Sequence, residues 1–153
     1  MRNLQLAHLN RSRLDALREE ELYLRLEPFS LKKKKAAGLQ IGDWIDLGET
    51  MPRLELARNG RRVAEVIPVE AGVIIQTLQS REETARAEYR HTVLEGRLTV
   101  LSDTPLKPEA LLPLSWSAVE RIYLYGKGRL QAVASLVHYD EGYALEILEL
   151  ADG

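Results

Sequence analysis

Apolar and polar residues alternate with a period of two along most of this chain. In Leu54-Glu55-Leu56-Ala57 the two leucines fall on one side of an extended backbone and Glu55 and Ala57 on the other. That is the pattern of a strand with one buried face. Asn59-Gly60 follows, a strong hairpin signal because a type I′ turn needs positive φ at both central residues. The return strand carries Val63, Val66 and Ile67, so the hairpin occupies residues 53–69, with Pro68 near its end.

The same alternation predicts a strand over residues 21–27, with Leu22, Leu24 and Leu26 on the apolar side, Tyr23 and Arg25 on the polar side, and Pro28 as its end. A turn at Gly42-Asp43 leads into a short strand, Trp44-Ile45-Asp46-Leu47. Ala71-Gly72 leads into the β-branched run Val73-Ile74-Ile75-Gln76-Thr77-Leu78, a buried strand. Two stretches change period. Residues 3–20 place Leu6, Leu9, Leu14 and Leu17 on one side of a helix, whose stripe needs a partner surface on this chain or on another. Ser80 followed by Glu83 is a capping-box pattern, and the charged helix formers up to Arg90 extend it into a short polar helix.

The hairpin pattern occurs twice. Ile122-Tyr123-Leu124-Tyr125-Gly126-Lys127-Gly128-Arg129-Leu130-Gln131-Ala132 repeats it in one register, with Gly60 matching Gly128, Arg61 matching Arg129 and Ala64 matching Ala132. Residues 94–101 read as a strand with a bulge at Gly96. Residues 106–114 stand where residues 39–47 stood, with Glu109-Ala110 in place of Gly42-Asp43. Residues 119–125 and 129–139 form the second hairpin, and residues 142–148 line up with 72–78. Trp44 and Trp116 fall in comparable regions, as packing residues.

The chain therefore divides into an N-terminal helix (1–20), a first β unit (21–78), a helical linker (79–92) and a second β unit (93–153). A unit of about 55–60 residues buries only about 60% of its unfolded surface and is marginal alone. Two copies on one chain can complete each other by packing or interweaving as a pseudo-twofold pair. The expected fold is mainly β, a small barrel or sandwich.

Composition narrows the function classes. Over 153 residues, 45% are hydrophobic and 29% charged, ordinary globular usage. The net charge of −2 gives no global attraction to nucleic acid or anionic membranes. Cysteine is absent, which removes disulfides, thiolate metal sites and a cysteine nucleophile. Neither a signal peptide nor a membrane span is expected, since no apolar run approaches roughly 18 residues, and the expected location is cytoplasmic.

No catalytic constellation stands out. His8, His91 and His138 are far apart and lack ligand spacing. Gly126-Lys127-Gly128 is glycine-rich, but a hairpin turn accounts for it without a phosphate loop. Ser115-Trp116-Ser117 has no nucleophile-elbow context. No enzyme activity and no cofactor are expected. Lys32, Lys33, Lys34 and Lys35 read as a solvated loop or edge. Together with Arg58, Arg61 and Arg62 they also define an alternative, a small β-barrel that binds nucleic acid.

The ordered set of Leu39-x-x-Gly42-Asp43-x-Ile45-x-Leu47, Asn59-Gly60-Arg61, Ala64-Glu65-Val66 and Gly72-Val73-x-Ile75, present twice, resembles the surface-presentation-of-antigens (SPOA) domain. This is the C-terminal domain of flagellar motor switch proteins (FliM/FliN type) and of type III secretion proteins (YscQ/SpaO type). The resemblance covers residues 22–150. It implies two SPOA-like units pairing as an intertwined pseudo-dimer. It implies a structural adaptor in the cytoplasmic ring or sorting platform of a type III secretion system or flagellar motor, peripheral to a membrane-embedded complex. Its partners would be the N-terminal segment of an ATPase regulator (FliH/OrgB type) and other SPOA domains or further copies, with no nucleic acid. The family's apolar patch carries over to Val66, Ile67 and Pro68 in the first unit and Ala134, Ser135 and Leu136 in the second. The alternative for Val66 and Ile67 is a place in the core.

Overall fold

Ten strands form one antiparallel sheet in the computed structural model, which describes residues 21–81, 90–101 and 106–151. In chain order they are β1 Tyr23–Lys32, β2 Trp44–Gly48, β3 Leu54–Arg58, β4 Arg61–Val69, β5 Gly72–Arg81, β6 His91–Val100, β7 Leu111–Pro113, β8 Ile122–Gly126, β9 Arg129–Tyr139 and β10 Gly142–Leu150. A one-turn helix, α1 (Lys33–Ala37), follows β1, and a 3-10 turn (Trp116–Glu120) precedes β8. The helix expected over residues 1–20 lies outside the described residues, as do residues 82–89 of the expected linker helix.

The spatial order is β2-β10-β9-β8-β6-β1-β3-β4-β5-β7. With β1–β5 taken as one half and β6–β10 as the other, this order reads the same from either end. The β1·β6 ladder is the seam, and Arg25 faces Arg97 across it. The outermost strand on each side comes from the opposite half: β7 pairs with β5, and β2 with β10. Close backbone approach makes both joins possible. A Cβ on Gly72 would lie 2.1 Å from the Leu112 carbonyl oxygen, and one on Gly142 would lie 2.2 Å from the Gly48 carbonyl oxygen. Only glycine fits there.

The halves also agree in detail. Asn59-Gly60 and Lys127-Gly128 both take positive φ, at 55° and 73° and at 53° and 74°, as a type I′ turn requires. Gly42 N donates to Ile147 O at 2.8 Å, and Glu109 N donates to Ile75 O at 2.8 Å. The sequence match of Gly42-Asp43 with Glu109-Ala110 is therefore a match in space. Glu109 takes a φ of 68° without being glycine.

Several expectations change. β1 runs through Pro28 to Lys32. Pro28 sits in a register shift of the β1·β6 ladder, between Leu26 and Phe29, and β3 pairs with β1 only from Tyr23 to Leu26. A strand tolerates proline where a ladder bond is already missing. The strand β5 continues through Ser80 and Arg81, where a helix start was expected, because Leu78 and Arg81 pair with Ala64 and Arg62 of β4. Ladder bonds to a distant strand override the local capping pattern. Gly96 is not a bulge: it pairs with Leu26 and Leu124, and a Cβ there would sit 3.0 Å from Ile122 Cγ2. The lysine run is exposed, as expected, but it is not a loop: Lys32 ends β1 and Lys33, Lys34 and Lys35 open α1. Trp44 and Trp116 are not counterparts, since Trp44 opens β2 and Trp116 opens the 3-10 turn after β7.

One apolar core draws on both halves, with Leu24, Leu26, Leu54 and Leu56 packed with Leu94, Leu98, Ile122 and Leu124. Tyr23 and Arg25, expected on a polar face, are completely buried beside Ala57, Tyr123 and Val133. Both sides of the sheet centre are therefore buried.

Candidate docking groove

The β3·β4 ladder ends at the Glu55–Glu65 pair, so Val66 to Val69 of β4 continue without β3 beside them. Alternation points Val66 into the core, while Ile67 is 44% exposed and Pro68 is exposed beside it. The loop of residues 49–53 approaches from the other side with Met51 and Pro52. Together they bound a groove of about 480 Å³. Met51, Pro52, Ile67 and Pro68 give it an apolar part, Arg53, Glu65 and Gln76 line it beside them, and Glu55 and Arg62 contribute from more buried positions.

All three first-half residues singled out from the sequence line this groove. Val66 does so from a buried position, which gives it the core role as well. The second-half residues sit differently. On β9, Ala134 is fully buried and pairs with Ile122, and Ser135 and Leu136 are half-buried. The 3-10 turn packs on β9, and Leu136, Ala118 and Val119 join the main core. The connection before β8 spans residues 114–121, against residues 49–53 before β3. The longer connection packs on β9 and β6 of its own half and also reaches the other, where Trp116 Nε1 donates to Val69 O at 2.6 Å.

The base of the groove reaches a buried charge network. Arg25 is fully buried and Glu55 is 4% exposed. Arg25 Nε donates to Glu55 Oε1 at 2.8 Å, and Arg25 NH1 lies 3.5 Å from Glu95 Oε1. Arg62 links the pair to the surface, 2.8 Å from Glu65 and 3.8 Å from Glu55. On the other half, Arg97 Nε donates to Glu95 Oε1 at 3.1 Å. Its guanidinium lies 4.0 Å from the Tyr125 ring centre and 4.7 Å from that of Tyr23, a cation–π sandwich. Burial pushes the Tyr23 phenol well above its usual range, and the neighbouring Glu95 carboxylate adds to this. Burial works against the Arg97 charge, but Glu95 more than restores it, so its affinity for the proton rises. Nothing in the alternation signalled this network, because Glu55 and Arg25 occupy positions that read as solvent-facing.

The basic residues do not form one strip. Lys32 ends β1 and the helix α1 follows it, while Arg58 adjoins Ala57, the partner of Tyr23 at the start of β1. Ten extended residues separate those ends by roughly 30 Å, and Arg62 is committed to Glu65 and Glu55. Among the described residues no group of three or more His, Cys, Asp or Glu could hold a metal ion, and no helix is long and apolar enough to cross a membrane. What the arrangement offers chemically is an open groove of mixed lining with an apolar patch at Met51, Pro52, Ile67 and Pro68, of a size to receive a side chain or short segment. The chain matches no known protein family and no curated protein.

Proposed function

We propose that this chain is a non-enzymatic docking scaffold of the SPOA type. Its two halves would act as an intertwined pseudo-dimer, and the groove beside β4 would take an apolar segment of a partner. The observation that carries this reading is the reciprocal loan of β2 and β7 between halves whose strand order is otherwise the same. Such an interlock would join two units that are each marginal alone into one body. The resemblance then names the setting: the cytoplasmic platform of a type III secretion system or flagellar motor. It also names the partner, the N-terminal segment of an ATPase regulator.

Calorimetric titration of the intact chain with a synthetic N-terminal segment of such a regulator tests this. Saturable binding is expected, and Ile67→Glu should weaken it by about tenfold or more, the loss expected of a central apolar anchor. Absence of binding, or binding that Ile67→Glu leaves unchanged, would overturn the proposal.

A further inference from the structure

The two ends of the sheet are not alike. β7 is three residues long and carries Pro113, which has no N–H to offer a further strand. β2 is five residues long, pairs on one side with β10, and ends the sheet on the other. That outer edge presents the backbone groups of Trp44 to Leu47 that are not used in the β10 ladder, the template for strand addition.

The side chains beside this edge specify a visitor. Trp44 is 46% exposed, and its ring centre lies 5.6 Å from that of Tyr139 at an angle of 46°. Tyr139 donates its hydroxyl to Asp46 Oδ1 at 2.9 Å, and Gly48 N donates to the same oxygen at 3.1 Å. Those bonds hold the exposed Asp46 carboxyl below its ordinary range, the Gly48 amide contributing most. Glu141 and Glu49 act on Tyr139 as well, and Lys35 acts on Asp46. An indole, a phenol and an ionised carboxylate at one place form a receptor for a cationic side chain. A second copy pairing β2 with β2 would bring the carboxylates of both chains to one seam, which disfavours self-association there.

We propose that the β2 edge is a second docking surface, one that takes an extended peptide and seats an arginine or lysine on Trp44, Tyr139 and Asp46. It is independent of the β4 groove, so either surface can fail without the other.

The probe is a blocked hexapeptide of alternating arginine and valine, titrated into the intact, isotope-labelled chain and followed by NMR. The amides of residues 44–48 and the Trp44 indole should shift, and added salt should weaken the effect. Asp46→Asn and Trp44→Leu should each weaken binding by about threefold, the scale of one exposed ion pair or cation–π contact. Both side chains are at the surface, so the variants remain folded. A glutamate–valine hexapeptide should cause no shift. The proposal fails if both peptides act alike or if the arginine peptide does not bind at millimolar concentration. It also fails if the shifts are confined to residues 51–68, or if the edge instead pairs with a second copy in sedimentation experiments.

Discussion

The β4 flank and the β9 flank are built on the same ladder and finished differently. Both follow a type I′ turn, and both lie beside a strand with a register shift at the matching place, between Leu56 and Ala57 and between Leu124 and Tyr125. On β4 the preceding loop is short and leaves Ile67 and Pro68 open; on β9 the 3-10 turn lies over the strand and Leu136 is drawn toward the core. The lesson is that connection length, not strand pairing, separates an open face from a packed one.

The sharpest contrast to test is at the seam. Arg25 faces Glu55, whereas Arg97 faces Tyr123. Arg25→Met strands a buried carboxylate and should cost about 3–5 kcal/mol in urea unfolding. Arg97→Met takes one partner from the less buried Glu95, which keeps Arg25 at 3.5 Å, and should cost less, about 2 kcal/mol. Equal losses would mean that the halves are balanced in a way the Glu55 pair does not predict.

Gly72→Ala and Gly142→Ala probe what the halves share. Each drives a Cβ into a carbonyl oxygen of the borrowed strand, and each should cost about 3 kcal/mol. A large effect at only one of the two would break the equivalence of the loans. Next comes the flank comparison itself. Leu136→Glu should cost about 2 kcal/mol by placing a charge against the core, while Ile67→Glu should stay within about 0.5 kcal/mol. The last effect is a gain: Glu109→Gly should raise stability by about 1 kcal/mol, because it relieves the left-handed backbone that Gly42 accommodates freely.

Much of the fold was legible because its signals are local. Asn59-Gly60, the matching Gly128 and the alternation of Leu54 to Ala57 act through turn chemistry and period, and the pairing of Glu109-Ala110 with Gly42-Asp43 followed from order alone. The rest depends on partners far along the chain. Pro28 passes through β1 because of what β3 and β6 omit, and Ser80 stays extended because Arg62 and Ala64 pair with its neighbours. Arg25 and Tyr23 are buried on a face that alternation assigns to solvent. Half of the groove was visible as an apolar β4 segment; Met51, Pro52 and the charged base were not, since a loop and a buried pair leave no periodic mark.

The borrowed strands also set a timetable. On the ribosome, β5 has no neighbour on its outer side until Leu111, Leu112 and Pro113 have emerged, well after β5 itself ends at Arg81. The nascent N-terminal portion must wait with a bare, sticky margin, and a chain released early by a premature stop codon would be a target for chaperones and proteases rather than a working fragment.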